Sequence, residues 1–329
     1  MTDPIPVPPE LREFIHRGST FLVAGHKEPD GDCIGSQLAL CSALGRLGKR
    51  AVPCSAGPFK RPEIRSFESR FTSRPGDADR EGARVILVDC SNQDRTGDLK
   101  PFLAGLPLAI IDHHALGNQG ERNGHAVLYL DIKAPSATVM ILNLIEALGL
   151  RPVGEEAELL FLGLCTDTGF FRHVDAGGAE TFSYAARLVR AGANPKGTYA
   201  IINGGKSLES RLLLGRVLSR AEPYYGGKLI LSTETYEDAR RFGPEGRDSD
   251  TLYQLLQSVD GVEAIAILRQ ETLEQCTAGL RSRDSVNVAE VALAFGGGGH
   301  KNAAGFSHDG LIEDLYPMVV EAFKKQLAP

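Results

Sequence analysis

The stretch FLVAGHKEPDGDCIGS, residues 21–36, decides the architecture. Its first five residues form an apolar run of strand length. The segment HKEPDGD that follows supplies turn formers and ionisable groups. From Cys33 to Leu47 the spacing changes to a helical period, with Ile34, Leu38, Cys41 and Leu44 on one face. A short apolar run, a polar loop and an amphipathic helix make the first half of a βαβ unit. The runs VILVD (85–89) and LAIID (108–112) repeat the opening, and helical stretches follow over 136–148 and 155–164. The expected class is α/β, with a doubly wound, mainly parallel sheet in the N-terminal domain.

Further along, the grammar changes. An AGANP turn (191–195), an Asn203-Gly204-Gly205 break and the helix-like run SLESRLLLGRVLSR (207–220) read as a connector. Beyond it, strands are expected over 228–232, 262–269 and 273–281, with helices near 233–242, 250–258, 286–295 and 311–327. The mixture suggests a smaller α+β domain. The expected division is an N-terminal domain at 1–192, a connector at 193–220 and a C-terminal domain at 221–329, consistent with a prior of roughly 100–200 residues per domain.

Composition removes several function classes. A hydrophobic fraction of 42% and a charged fraction of 24% belong to a chain that folds around a core. No segment reaches the roughly 18 apolar residues needed to span a bilayer, and the first residues lack a charged-then-apolar leader pattern, so a cytoplasmic protein is expected. The six cysteines are scattered without a C-x-x-C pair, which disfavours a disulfide framework or a zinc knuckle. A formal net charge of −6 argues against a broad basic face for long nucleic acid. Any anionic substrate must be met locally, and a carboxylate-rich site does this when metal ions reverse its sign.

Such a site is written at the strand ends. The strand at 21–25 runs into His26, Asp30 and Asp32; that at 85–89 ends at Asp89; that at 108–112 ends at Asp112, His113 and His114. Open parallel sheets build their sites at this edge. A further element, GLCTDTGFF, places Asp167 after an apolar run. Carboxylates and imidazoles without thiolates suit manganese, magnesium or iron better than structural zinc. Six such groups exceed what one cation needs, but they fit two ions sharing a carboxylate about 3.5–4 Å apart.

The motifs HKEPDGDCIGS (26–36), VDCSNQDR (88–95), IDHH (111–114) and CTDTGFF (165–171) resemble the signature of the DHH phosphoesterase superfamily. The C-terminal GGGGHKNAAGF (296–306), preceded by GLRSRDSVNVAEVA (279–292), resembles the substrate-binding domain that accompanies DHH domains in nanoRNases and 3′-phosphoadenosine-5′-phosphate phosphatases. The resemblance implies two Mn2+ ions, with Mg2+ or another divalent metal as substitutes. It implies one metal held by His26, Asp30 and Asp89, and another by Asp32, Asp89, His113 and Asp167. His114 then faces the scissile phosphate and Asp112 orients its neighbours. In the C-terminal motif Arg281, Gly297, Gly298, Gly299 and His300 are the substrate-binding candidates, with an amide nest at the glycines. Gly35 near the start of the first helix reads equally as an aid to anion binding or as a close-packing position.

The implied activity is hydrolysis of very short oligoribonucleotides to mononucleotides, extended to 3′-phosphoadenosine-5′-phosphate, with short RNA or nucleotides as partners, no membrane and a homodimer as one assembly. Linear or cyclic dinucleotide hydrolysis, a RecJ-like single-strand exonuclease and a catalytically silent nucleotide-binding regulator are the alternatives. The absence of tryptophan and of an aromatic-basic stripe argues against a long-polymer groove. His16, His125, His173 and His308 lack acidic or cysteine partners at ligand spacing and are read as packing or surface residues.

Overall fold

The computed structural model describes residues 6–114, 126–243, 246–283 and 285–327. The chain divides into two compact units, Met1–Gly205 and Lys206–Pro329. That division falls inside the segment read as a connector. No helix of the described residues is long and apolar enough to cross a membrane.

In chain order the first unit comprises α1 (Pro9–Arg17), β1 (Thr20–Ala24), α2 (Gly31–Arg46), β2 (Arg50–Cys54), α3 (Asp77–Arg80), β3 (Ala83–Val88), α4 (Lys100–Leu103), β4 (Leu108–Asp112), β5 (Val127–Leu130), α5 (Ala137–Ala147), α6 (Glu155–Asp167), α7 (Ala179–Arg190) and α8 (Pro195–Asn203). Its five strands are all parallel, in the order β2-β1-β3-β4-β5. Strand order therefore reverses between β1 and β3, which makes the carboxyl ends of these two strands the crevice where such sheets bind ligands. Both faces of the sheet are covered. Phe21 and Val23 enter one hydrophobic cluster, whereas Leu22 and Ala24 enter another on the opposite face. This explains why these strands read as unbroken apolar runs rather than alternating ones.

Helix α2 starts at Gly31, two residues before the expected Cys33, because Asp30 caps it by accepting from the Cys33 amide at 3.1 Å. A Cβ on Gly35 would overlap the Leu159 carbonyl of α6. Close approach of α2 and α6 thus accounts for that glycine. Two strands of this unit escaped the sequence reading: β2 carries Pro53 and lies at the sheet edge, and β5 has only four residues.

The second unit holds α9 (Leu208–Ser219), β6 (Glu222–Tyr224), β7 (Leu229–Glu234), α10 (Tyr236–Phe242), α11 (Ser249–Gln257), β8 (Ala264–Gln270), β9 (Gln275–Ser282), α12 (Val288–Ala294), β10 (Gly298–His300), β11 (Ala303–Asp309) and α13 (Ile312–Leu327). Its six strands form a mixed sheet, β10-β11-β9-β8-β7-β6, in which only β7 and β8 run parallel. One face carries Leu231, Ala266, Leu280 and Phe306 into a core with Val291 of α12 and Phe323 of α13. The other face buries Ile230, Ile265 and Ile267 beneath Leu213 of α9 and Tyr253 of α11.

Candidate functional site

Strand β3 delivers the central carboxylate. The Asp89 amide still donates to the Ile111 carbonyl at 3.0 Å, continuing the sheet. Its backbone then turns to a φ of 51°, a left-handed conformation that aspartate tolerates better than most residues. Conformational strain of this kind gathers at functional sites. The residue is 2% exposed, and its Oδ1 faces two imidazoles, His114 Nδ1 at 3.3 Å and His113 Nε2 at 3.6 Å.

Neighbouring strand ends aim at the same place. His26, after β1, sets Nε2 3.4 Å from Asp89 Oδ2. Its Nδ1 lies 2.8 Å from the Lys27 carbonyl, which fixes the ring orientation. His113, after β4, has Nδ1 at 3.2 Å from the Ala134 carbonyl. Its Nε2 faces Asp32, Asp89 and Asp167 at 3.7, 3.6 and 3.3 Å. That nitrogen is also buried without a hydrogen-bond partner among the described residues. Donor atoms around an octahedral divalent cation with bonds of about 2.1 Å sit roughly 3 Å apart, so these separations match a ligand shell.

Asp32 is completely buried and accepts from the Ala137 and Thr138 amides at 2.7 and 2.9 Å. These amides open α5, whose positive end favours a carboxylate. Asp167 ends α6, where a helix dipole disfavours negative charge. Burial and the neighbouring Asp89 and Asp167 push the Asp32 carboxyl well above its usual range. Asp167 is raised to about 6 by burial, against the pull of His113. Burial also works against charge on Asp89, but hydrogen bonds from His114 and His26 hold it down at about 2. Three facing acids met by imidazoles form a cluster short of positive charge. Divalent cations fit that deficit and the oxygen–imidazole character of the donors.

Asp112 is fully buried; its Oδ1 takes the His114 amide at 3.0 Å and faces His114 Nδ1 at 2.9 Å. His114 is about half exposed and rises to about 10 through its bonds to Asp112 and Asp89. With Nδ1 so engaged, its other nitrogen is the one left to meet a ligand.

His26, Asp32, Asp89, His113 and Asp167 all enter groups whose ligand atoms lie within 4.8 Å of one another. Asp30 does not join these groups; its Oδ1 caps α2, and it acts on His26 through its charge. In its place Cys33 joins His26 and Asp89. Burial holds the Cys33 thiol well above its ordinary value, so it is a poor source of thiolate. The sequence reading missed Cys33, the α5 amides and the Ala134 carbonyl. Ser136, which caps α5 by accepting from Val139, was the available signal for a helix start at this edge of the sheet.

In the second unit the four glycines run from the end of α12 into a strand. Gly298–His300 is an edge strand paired with β11, and a Cβ on Gly297 would overlap the Gly305 carbonyl. His300 pairs with Ala303, which pairs with Arg281. His300 and Arg281 therefore flank a small residue on one face, roughly 9–10 Å apart by strand spacing. His300 is exposed and Arg281 half-buried. Arg283 donates to the Gln257 carbonyl at 2.6 Å, a surface contact. His173 is exposed beside Arg172, His16 and His308 stand apart from both sites, and His125 lies outside the described residues.

Comparison with known proteins agrees with this layout. Residues 20–164 match the DHH family, N-terminal domain, and residues 228–328 match the DHHA1 domain. The bifunctional oligoribonuclease and PAP phosphatase NrnA of Thermus thermophilus is 33% identical over 93% of this chain and 89% of its own length. Its Bacillus subtilis counterpart is 26% identical over 91% and 92%. The crystal structure of an exopolyphosphatase-related protein from Bacteroides fragilis shares the fold, with a TM-score of 0.75 at 23% identity over 97% and 96% of the two chains. Similarity sustained through both domains, and not confined to the metal motifs, means that this chain belongs to the DHH phosphoesterase superfamily, as a hydrolase of the nanoRNase and PAP-phosphatase-like kind.

Proposed function

We propose that the protein hydrolyses very short oligoribonucleotides to mononucleotides, and 3′-phosphoadenosine-5′-phosphate to AMP, at a centre of two manganese ions. The observation that carries this reading is the convergence of Asp32, Asp89, His113 and Asp167 into one buried cluster of facing carboxylate oxygens and imidazole nitrogen. The relatives named for oligoribonuclease and PAP phosphatase activity support the substrate class.

In this reading His26, Asp30 and Asp89 hold one ion, and Asp32, Asp89, His113 and Asp167 hold the other. When bound, the pair supplies an activated water for in-line attack on phosphorus and stabilises charge on the oxygens around it. The chain's own contribution is orientation. The Lys27 and Ala134 carbonyls fix the rings of His26 and His113, and the α5 amides fix Asp32. Asp112 holds His114 so that its free edge meets a non-bridging phosphate oxygen. Arg281, His300 and the glycines Gly297, Gly298 and Gly299 provide the grip on the nucleotide.

The test is a substrate panel in manganese: RNA and DNA of two to ten nucleotides, cyclic dinucleotides, phosphoadenosine phosphate and pyrophosphate. Fastest turnover is expected on RNA of two to four residues and on phosphoadenosine phosphate. Preference for cyclic dinucleotides or for the longest DNA would reject the proposal.

A further inference from the structure

Tyr253 on α11 is 5% exposed; its buried Oη is met by a donor, the Arg269 guanidinium, and its own hydrogen finds no acceptor among the described residues. A buried hydroxyl whose hydrogen is left unpaired is costly and calls for an explanation. Its direction gives one: Oη occupies the place that a side chain on Gly279 would take, on the same sheet face as Arg281. Arg269 Nη1 lies 3.2 Å from that point. The other nitrogens of Arg269 are committed, Nε to Glu234 at 3.2 Å and Nη2 to Ser249 Oγ at 3.1 Å. The Arg281 guanidinium lies over the tyrosine ring, 4.7 Å from its centroid. Arg281 donates to its neighbour's Leu280 carbonyl and forms no ion pair among the described residues.

The surface beyond is bare. Gly279 pairs with Gly305, and Gly305 pairs with Gly298, so three adjacent strands present no Cβ. The next row on this face is Arg281, Ala303 and His300. A ligand reaches the backbone here without a side chain in the way. Burial makes the Tyr253 hydroxyl a weaker acid despite Arg269 and Arg281, so it stays a donor. Between two guanidiniums its lone pairs turn toward the cations and its hydrogen away. It lacks an acceptor, and beside two cations that acceptor is an anion.

We infer that Tyr253 and Arg281 together hold a phosphate of the substrate, the hydroxyl donating to a phosphate oxygen beside the guanidinium, and that this phosphate is not the one cleaved. The second half rests on the proposed function, in which the scissile phosphate belongs to the carboxylate–imidazole centre. All groups of potential metal ligands among the described residues lie in the N-terminal unit. One rule then unites two substrates of different shape. A 5′-phosphorylated dinucleotide and a nucleoside 3′,5′-bisphosphate each offer one phosphate to cleave and another to grip; an unphosphorylated dinucleotide offers only the first.

Tyr253→Phe in the full chain keeps the ring beneath Arg281 and removes only the donor. For the 5′-phosphorylated RNA dinucleotide, KM should rise about tenfold, as for loss of a hydrogen bond to a charged group, with kcat retained. The wild-type preference for that substrate over its unphosphorylated counterpart should collapse. Gly279→Ala, which forces Oη off its position, should raise KM similarly and lower the melting temperature. Adding Tyr253→Phe to Gly279→Ala should recover the melting temperature but not KM. An unchanged KM in Tyr253→Phe, or an equal shift for both dinucleotides, would overturn the inference.

Calorimetric titration of the metal-free protein with AMP and with inorganic phosphate separates this inference from the reading beneath it. If the wild type cleaves no RNA yet binds AMP in a Tyr253-dependent way, the phosphate site stands and the proposed reaction falls. Equal AMP affinity in wild type and Tyr253→Phe removes the site whatever the substrate. Tyr253-dependent binding of inorganic phosphate as tight as that of AMP would show that free phosphate, rather than a nucleotide, is the ligand.

Discussion

Buried acids are handled in opposite ways in the two units. In the C-terminal unit Asp238 faces Arg216 at 3.0 Å and Arg220, and Asp248 faces Arg211 at 2.7 Å and Lys206 at 3.6 Å. Despite burial, these bonds hold both carboxyls below their usual range. In the N-terminal centre Asp32, Asp89 and Asp167 face one another and histidines, with no arginine or lysine among their ion pairs to the described residues. Away from that centre the same unit pairs the buried Glu156 in the ordinary manner, with Arg46 at 2.6 Å. Charge is therefore left unbalanced at one place, where a bound cation would balance it and where an internal arginine would have blocked it.

The sharpest way to break this contrast is Asp89→Ala. With the proposed shared ligand gone, kcat/KM on an RNA dinucleotide should fall on the order of 10³-fold or more while circular dichroism stays native. Activity near wild type would remove Asp89 from the centre. Asp112→Asn should cost about 10–100-fold in kcat, the range for residues that orient an active group; a change confined to KM would place Asp112 on the binding side instead. His300→Ala, on the exposed edge of the other unit, should raise KM about tenfold and leave metal content intact by elemental analysis. Loss of metal in that variant would contradict the division between chemistry and grip.

The smallest effects are thermodynamic. In chelator, Asp167→Asn should raise the melting temperature by about 3–6 °C, because it relieves repulsion from Asp32 and Asp89 and an unfavourable helix end. Asp238→Asn should lower it. The pH dependence carries the sign for the C-terminal unit: Asp238 and Asp248 have folded values below the unfolded one near 3.9. Their stabilisation is complete above that value and is lost as pH falls through the folded values. Asp238→Asn should therefore show a flatter acid-melting profile, and an unchanged profile would deny that the arginines hold this acid.

Much of this contrast was legible in the chain. The strands β1, β3 and β4 are apolar runs because both sheet faces are buried, and their ends carry His26, Asp89, Asp112, His113 and His114 next to easily read signals. The sheet edges were not legible. Strand β2 carries proline, and β10 and β11 begin in glycine and alanine, whose strand formation follows from pairing rather than propensity. Contacts between distant segments were equally hidden. The α5 amides reach Asp32 across more than a hundred residues. Likewise, nothing local to Tyr253 marks it as the ring beneath Arg281. The helix cap made by Asp30 Oδ1 was not legible from the motif either.

The most direct measurement is anomalous diffraction at the manganese edge from crystals grown with the metal. Two peaks about 3.5–4 Å apart are expected, with Asp89 touching both and His113, Asp32 and Asp167 around one of them. A single peak, or ions bound away from Asp89, would contradict the shared-carboxylate centre.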